Sequence, residues 1–278
     1  MIKTVLAKPS SMTEPKPRGW HPSSMSKLQQ RVVVWGGLLA AWQIFGTISG
    51  PFFFASVTDT VAGLFELASN GDLNELLVSF RQLLIGFGLA VLVGIPGGII
   101  IGSSLIGEAA LGVYVRALFV TSLEALLPFL IIAVGSGLEL RVTVVFLFAV
   151  LYITMNTAAG VRDVDPRFIE TARSFGCGQV ELALKVIVYD ALPYIFAGLR
   201  LGFGFAVKGM VIAELWVTTG TGKLLVDLGG SRQLGMYFAM ALLIIAVGAL
   251  GSWLIQILQR MVAPWSEIQA GVRVGRRK

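Results

Sequence analysis

The chain has 278 residues; 55% are hydrophobic and 14% charged, and the mean hydropathy is +0.80. A soluble domain carries nearer a quarter charged residues, so the composition excludes an ordinary globular enzyme and places the chain among membrane proteins. The formal net charge is +6, but no aromatic–basic pattern suited to stacking bases accompanies it, which argues against a nucleic-acid partner.

Residues 1–30 hold Lys3, Lys8, Lys16, Arg18, Lys27 and many Pro and Ser, and read as a flexible tail before an uncleaved first span. A helix needs about 20 mostly apolar residues to cross the hydrocarbon core. Six segments reach that length, near 32–49, 78–102, 112–134, 142–160, 194–218 and 235–260. Their apolar runs are too continuous for barrel strands, so the predicted class is an all-α polytopic membrane protein. With both termini cytoplasmic, the outer segments hold only Arg81, Arg141, Lys223 and Arg232, while the inner ones hold most other cations. That asymmetry sets the orientation and puts residues 161–193 inside. The expected division is a tail over 1–30, a membrane domain over 31–265 and a basic tail over 266–278, with multi-pass residence in a cell membrane.

Between the first two spans, residues 56–75 place Val57, Val61, Leu64, Phe65 and Ala68 at helical spacing, with acidic charges only. This predicts a short external helix at the interface. The second span then carries Gly86, Ala90, Gly94, Gly98 and Gly102, each four apart, and the fifth repeats the device with Gly198, Gly202 and Ala206. Small residues on one face let helix backbones approach closely. Tight packing and sliding during a working cycle are both compatible with these stripes. Pro96 is expected to kink the second span.

The polar stretch at 165–193, DPRFIETARSFGCGQVELALKVIVYDALP, reads as two helices around a glycine turn. Asp165 caps the first, Pro166 opens it, and Gly176 ends it. Phe168, Ile169, Ala172 and Phe175 form its apolar face. A second helix starts at Gln179, with Val180, Leu184 and Ile187 on one side, and Leu192-Pro193 closes it. A connecting loop needs no such order, so the segment is suited to docking another protein.

Three ionisable residues lie inside predicted spans: Glu124 in the third, and Lys208 and Glu214 in the fifth. Such a group at mid-membrane costs about 2.5–3.5 kcal/mol on insertion scales. Lys208 and Glu214 are six residues apart, some 120° around a helix at about 100° per residue, so they do not pair directly. Glu124 and Lys208 lie at similar depth. They either pair and fix helix register or face a polar pathway; Glu214 has the further option of snorkelling toward lipid headgroups. TTGTGKL at 218–224 is not a nucleotide loop. The required first glycine is Val217, and Leu224 replaces the Ser or Thr. His21 and Cys177 stand too far apart in sequence to suggest a metal site, and no catalytic constellation is visible. From the residues alone, an ion-coupled transporter using Glu124, Lys208 and Glu214 as a proton relay remains open beside an ATP-driven one.

The run ETARSFG at 170–176, with ALP at 191–193, resembles the EAA loop of permease subunits of ATP-binding-cassette importers. Glu170-Thr171-Ala172 stands for the family's E-A-A triplet and Gly176 for its glycine. Residues 156–176 and 191–206, followed by Ala213-Glu214, are similar to the sulfonate, taurine, nitrate and bicarbonate branch. The chain departs from that branch at Val188-Tyr189 and in TSLEALLPFLIIAVGSG, which holds one proline and no Trp. The resemblance implies a type I importer permease fold and an inner-membrane location. It also implies that Glu170, Thr171, Ala172 and Gly176 couple to ATPase subunits in two copies. A second, identical permease chain and an external or periplasmic substrate-binding protein complete the implied assembly. The solute would be small and anionic. This chain would hold no cofactor, with ATP and Mg on the partner ATPase.

Overall fold

A computed structural model describes residues 26–264; the expected tails at 1–30 and 266–278 lie largely or wholly outside them. Helix α1 spans Lys27–Ser49, with Ser26 and Gln29 forming a reciprocal cap. Helix α2, Val57–Asn70, starts with the same device built from Ser56 and Asp59. Helix α3 runs Leu73–Ser103, and Pro96 lies within it without ending it.

The third span departs from the sequence expectation of one continuous helix over 112–134. It begins at α4, Leu105–Gly107, passes through a π turn at Glu108–Gly112, and continues as α5, Val113–Val120. It then breaks. A 3₁₀ turn at Leu123–Leu126 leads into α6, Leu127–Val134, and the halves meet at 96°. Neither glycine nor proline occupies Thr121-Ser122 itself; Pro128, in the first turn of α6, is the nearest sequence signal of the break. Among the described residues, five single helices are long and apolar enough to cross a bilayer, and a sixth crossing is reached if the bent pair is counted as one span.

Helix α7, Leu138–Arg162, is the centre of the bundle. Gly86 on α3 faces Val145, Gly94 faces Ile153, Gly98 faces Thr157 and Gly102 faces Val161. The two helices therefore run parallel. A Cβ on Gly98 would lie 2.5 Å from the Thr157 Cβ, and one on Gly102 2.6 Å from the Val161 Cβ. These positions require the absence of a side chain. On its other flank α7 meets the fifth span in antiparallel register: Gly198 against Asn156, Gly202 against Ile153, Gly209 against Phe148. Ile153 is thus gripped from both sides and is fully buried.

Helices α8, Pro166–Ser174, and α9, Gln179–Leu182, follow α7. A π turn at Ala183–Ile187 carries the chain directly into α10, Val188–Val217. The second helix of the polar stretch is therefore not closed at Leu192-Pro193; it flows into the fifth span, and Pro193 sits inside that helix. Helix α11, Gly220–Gly230, follows α10, and α12, Leu234–Val262, completes the bundle. Helix α2 packs on α12 through Gly63, where a Cβ would lie 2.5 Å from Gly235 backbone. Its buried side is Thr60, Gly63 and Leu67, while Val61, Leu64 and Phe65 face outward. The apolar residues read from the sequence at helical spacing thus form the outward face of this short helix, and the small residues Thr60 and Gly63 make its contact with α12.

Candidate functional site: a two-helix hairpin, a buried carboxylate and a broken span

At residues 165–187 the backbone builds a rigid projecting unit. Asp165 Oδ1 accepts a hydrogen bond from the Arg167 N–H at 2.9 Å, and Pro166 takes the first helical position, where no N–H is required. At the far end the Gly176 N–H donates to Arg173 O at 2.9 Å and the Cys177 N–H to Ala172 O at 3.1 Å. Gly176 sits at φ +80°, a left-handed conformation that only glycine adopts without strain. Thr171 Oγ1 folds back onto Arg167 O at 2.7 Å. Glu170 is solvent-exposed on the same short helix.

Between α8 and the start of α10 lies a groove of about 440 Å³, lined by Phe168, Thr171, Ala172, Val186 and Tyr189 among others. Phe168 is 55% and Phe175 84% exposed. Large aromatic side chains left in the open on a charged, capped helix pair form the kind of apolar patch that marks a protein interface. Lys185 Nζ donates to Glu181 Oε1 at 2.9 Å and holds the Glu181 carboxyl below its ordinary range.

Glu214 lies near the opposite end of α10, fully buried. Its carboxylate accepts hydrogen bonds from Gln82 Nε2 on α3 at 2.6 Å, from Thr221 Oγ1, and from the Gly222 N–H on α11 at 3.1 Å. Ser79 Oγ accepts from the Thr221 N–H at 3.2 Å. The carboxylate thus satisfies one N–H donor at the start of α11, that of Gly222, and complements the helix dipole while tying three helices together. Of the options read from sequence, facing lipid is excluded. Gln82 and Ser79 were missed; a polar pair three apart within an apolar run is the signal that could have found them.

Glu124 and Lys208 form no ion pair with each other among the described residues. Glu124 lies in the 3₁₀ turn after the span break, exposed to a cavity lined by Thr121, Ser122, Phe119, Tyr152 and Phe205. Lys208 Nζ stands 4.6 Å over the Phe205 ring, and Tyr152 stacks on that ring at 3.7 Å. The sequence also gave no warning of two further polar links. Arg200, inside α10, donates to Gln259 on α12. Arg116 and Arg162 converge on Glu108 Oε1 at 3.2 and 3.0 Å, joining the third span to the end of α7.

A multi-pass helical bundle with a broken span and a projecting amphipathic hairpin fits the class of membrane transport components. Residues 94–265 match the family described as the inner membrane component of binding-protein-dependent transport systems, and the chain belongs to that family. It is 29% identical to a protein of Bacillus subtilis (strain 168) named as an aliphatic sulfonates transport permease, SsuC, over 84% of this chain and 86% of the relative. It is 27% identical to the bicarbonate transport system permease protein CmpB of Synechococcus elongatus, over 86% of this chain and 92% of the relative. The SsuC protein of Escherichia coli (strain K12) is 28% identical over 83% of this chain and 89% of its own length. This chain is accordingly an ABC importer permease and a multi-pass membrane protein.

Proposed function

We propose that this subunit forms the path of a small, anionic solute, of the sulfonate or bicarbonate kind named for its relatives, and couples that path to ATP hydrolysis on a partner. The observation that carries the reading is the continuity of the hairpin with the spans. Helix α9 passes through the π turn into α10 without a loop. A push on the hairpin therefore reaches α10, and through its glycine contacts α7.

In this reading Glu170, Thr171, Ala172 and Gly176 form the surface on which an ATPase subunit docks. The exposed Phe168 and Phe175 supply its apolar anchors. Two ATPase copies, binding ATP and Mg themselves, close and open; a second copy of this chain completes the path; an external binding protein delivers the solute. The hairpin end is the cytoplasmic end, as the distribution of cations supports. Glu124 and Lys208 line the path. Glu214 acts on it indirectly, by holding α11 against α3 and α10.

The test is a pull-down from gently solubilised membranes containing the complete transporter. Wild type is expected to bring down an ATPase subunit. The Glu170→Arg/Gly176→Pro variant is expected to reach the membrane but lose that subunit at least tenfold. Retention of the ATPase by the variant refutes the docking surface.

A further inference from the structure

Glu124 and Lys208 lie inside the spans, carry opposite charge and form no ion pair among the described residues. Both are exposed on this chain. An ionisable residue within a span faces protein or water and is paired there, because lipid leaves its charge uncompensated. The face that carries these two is therefore not one that the assembled protein turns toward lipid. Phe205 stands between them. Its ring lines the cavity that holds Glu124, and Lys208 Nζ rests 4.6 Å over the same ring.

The surroundings of the two charges differ in shape. Beyond Glu124 the chain enters α6, which leaves Phe129 and Ile132, three apart, 68% and 85% exposed. Lys208 instead borders an apolar groove of about 330 Å³ between α10 and α12, lined by Gly204, Val207, Ile244 and Gly248 among others. A Cβ on Gly204 would meet nothing within 4 Å, whereas Gly202 and Gly209 on the same helix are packed tightly against α7. The groove is thus open to a helix from outside the chain. A face with an apolar projection beside a carboxylate, and an apolar groove beside an ammonium, is complementary to itself. A two-fold axis next to Phe205 exchanges its two sides, as an isologous contact requires. Glu124 of each copy then meets Lys208 of the other, while Phe129 and Ile132 enter the facing groove.

We infer that a second copy of this chain seats on this face, and that Glu124 of each copy forms an ion pair with Lys208 of the other. The inference rests on the permease reading above, in which a second copy completes the path, and adds which residues join the copies. Both residues line the proposed path, so the two pairs lie across it.

The experiment uses membranes holding the complete transporter, with two differently tagged copies of the full chain in a Cys177→Ser background. One copy carries Glu124→Cys and the other Lys208→Cys, and a short bis-maleimide is added without ATP. A product bearing both tags is expected at least tenfold above that formed when both copies carry the same Cys variant. Its absence, or equal yields, overturns the inference. Charge exchange gives a second measurement, read as the Tm of the purified transporter. Glu124→Lys on both copies, or Lys208→Glu on both, sets like charges at each contact and should lower Tm by about 5 °C or more. Glu124→Lys on one copy with Lys208→Glu on the other, purified through both tags in turn, restores opposite charges at one contact and keeps the native pair at the other. Its Tm should return to the wild-type value. A pair made within each chain would instead leave like charges in both chains of this mixture. A mixture as unstable as the single variants, or single variants as stable as wild type, overturns the inference. Recovery of the ATPase is scored on the same membranes. With the ATPase present and no two-tag product, this inference fails alone; with no ATPase recovered from wild type, the permease reading fails with it.

Discussion

Glu214 shows how one side chain decides a local architecture. A buried carboxylate is tolerated only when its charge meets donors. Here three donors from α3 and α11 converge on it. Glu214→Ala would strand Gln82 Nε2, Thr221 Oγ1 and the Gly222 N–H without their acceptor. The expected loss is about 3 kcal/mol or more, read as a marked fall in Tm of the purified chain in detergent. Glu214→Gln keeps the shape and one acceptor and should cost less than half as much. Equal Tm for all three proteins would show that the network contributes nothing. The sequence made Glu214 visible as a charge in a span. Its partners stayed hidden, because Gln82 and Thr221 are ordinary polar residues until the fold brings them within reach across 132 and 7 positions.

At the scale of the elements, the glycine stripes were the most legible feature, since a spacing of four fixes one helix face whatever the partner. The sequence did not show that both stripes address the same helix. That follows from the topology: α3 packs parallel and α10 antiparallel to α7. Gly98→Val should therefore overpack the α3–α7 contact, at about 1–3 kcal/mol. Gly88→Ala, where nothing lies within 4 Å, should be neutral or slightly stabilising. Thermal unfolding of the two variants in detergent distinguishes them; a harmless Gly98→Val would mean that α3 does not seat as described. The hairpin was legible too, through Asp165, Pro166 and Gly176, because caps carry their own residue types. Two features were not. The break at Thr121-Ser122 carries no glycine or proline of its own, the nearest signal being Pro128 at the start of α6, and Pro193 signals a helix end that the chain does not make. Propensity is overridden in each case by the surrounding packing. Helix α2 was legible from its spacing, while its packing on α12 was not, because that contact is made by Gly63 and Thr60, small residues that permit close approach and carry no apolar signal.

At the scale of the whole molecule, the projecting hairpin, the π turn and α10 form one continuous path from a polar surface to the centre of the bundle. A path of helix without intervening loop transmits displacement; a flexible connector would absorb it. Cys177 is the one cysteine in the chain, half-buried at the hairpin turn beside Gly176. It offers a probe at the proposed contact without any engineered residue. The most direct measurement places a photo-activated cross-linker on Cys177 in inverted membrane vesicles containing the complete transporter and identifies the adduct. The account requires a product joining this chain to the ATP-hydrolysing subunit, formed from the cytoplasmic face and reduced at least tenfold by Glu170→Arg/Gly176→Pro. Labelling of Cys177 only from the opposite face, or an adduct without the ATPase subunit, would contradict it.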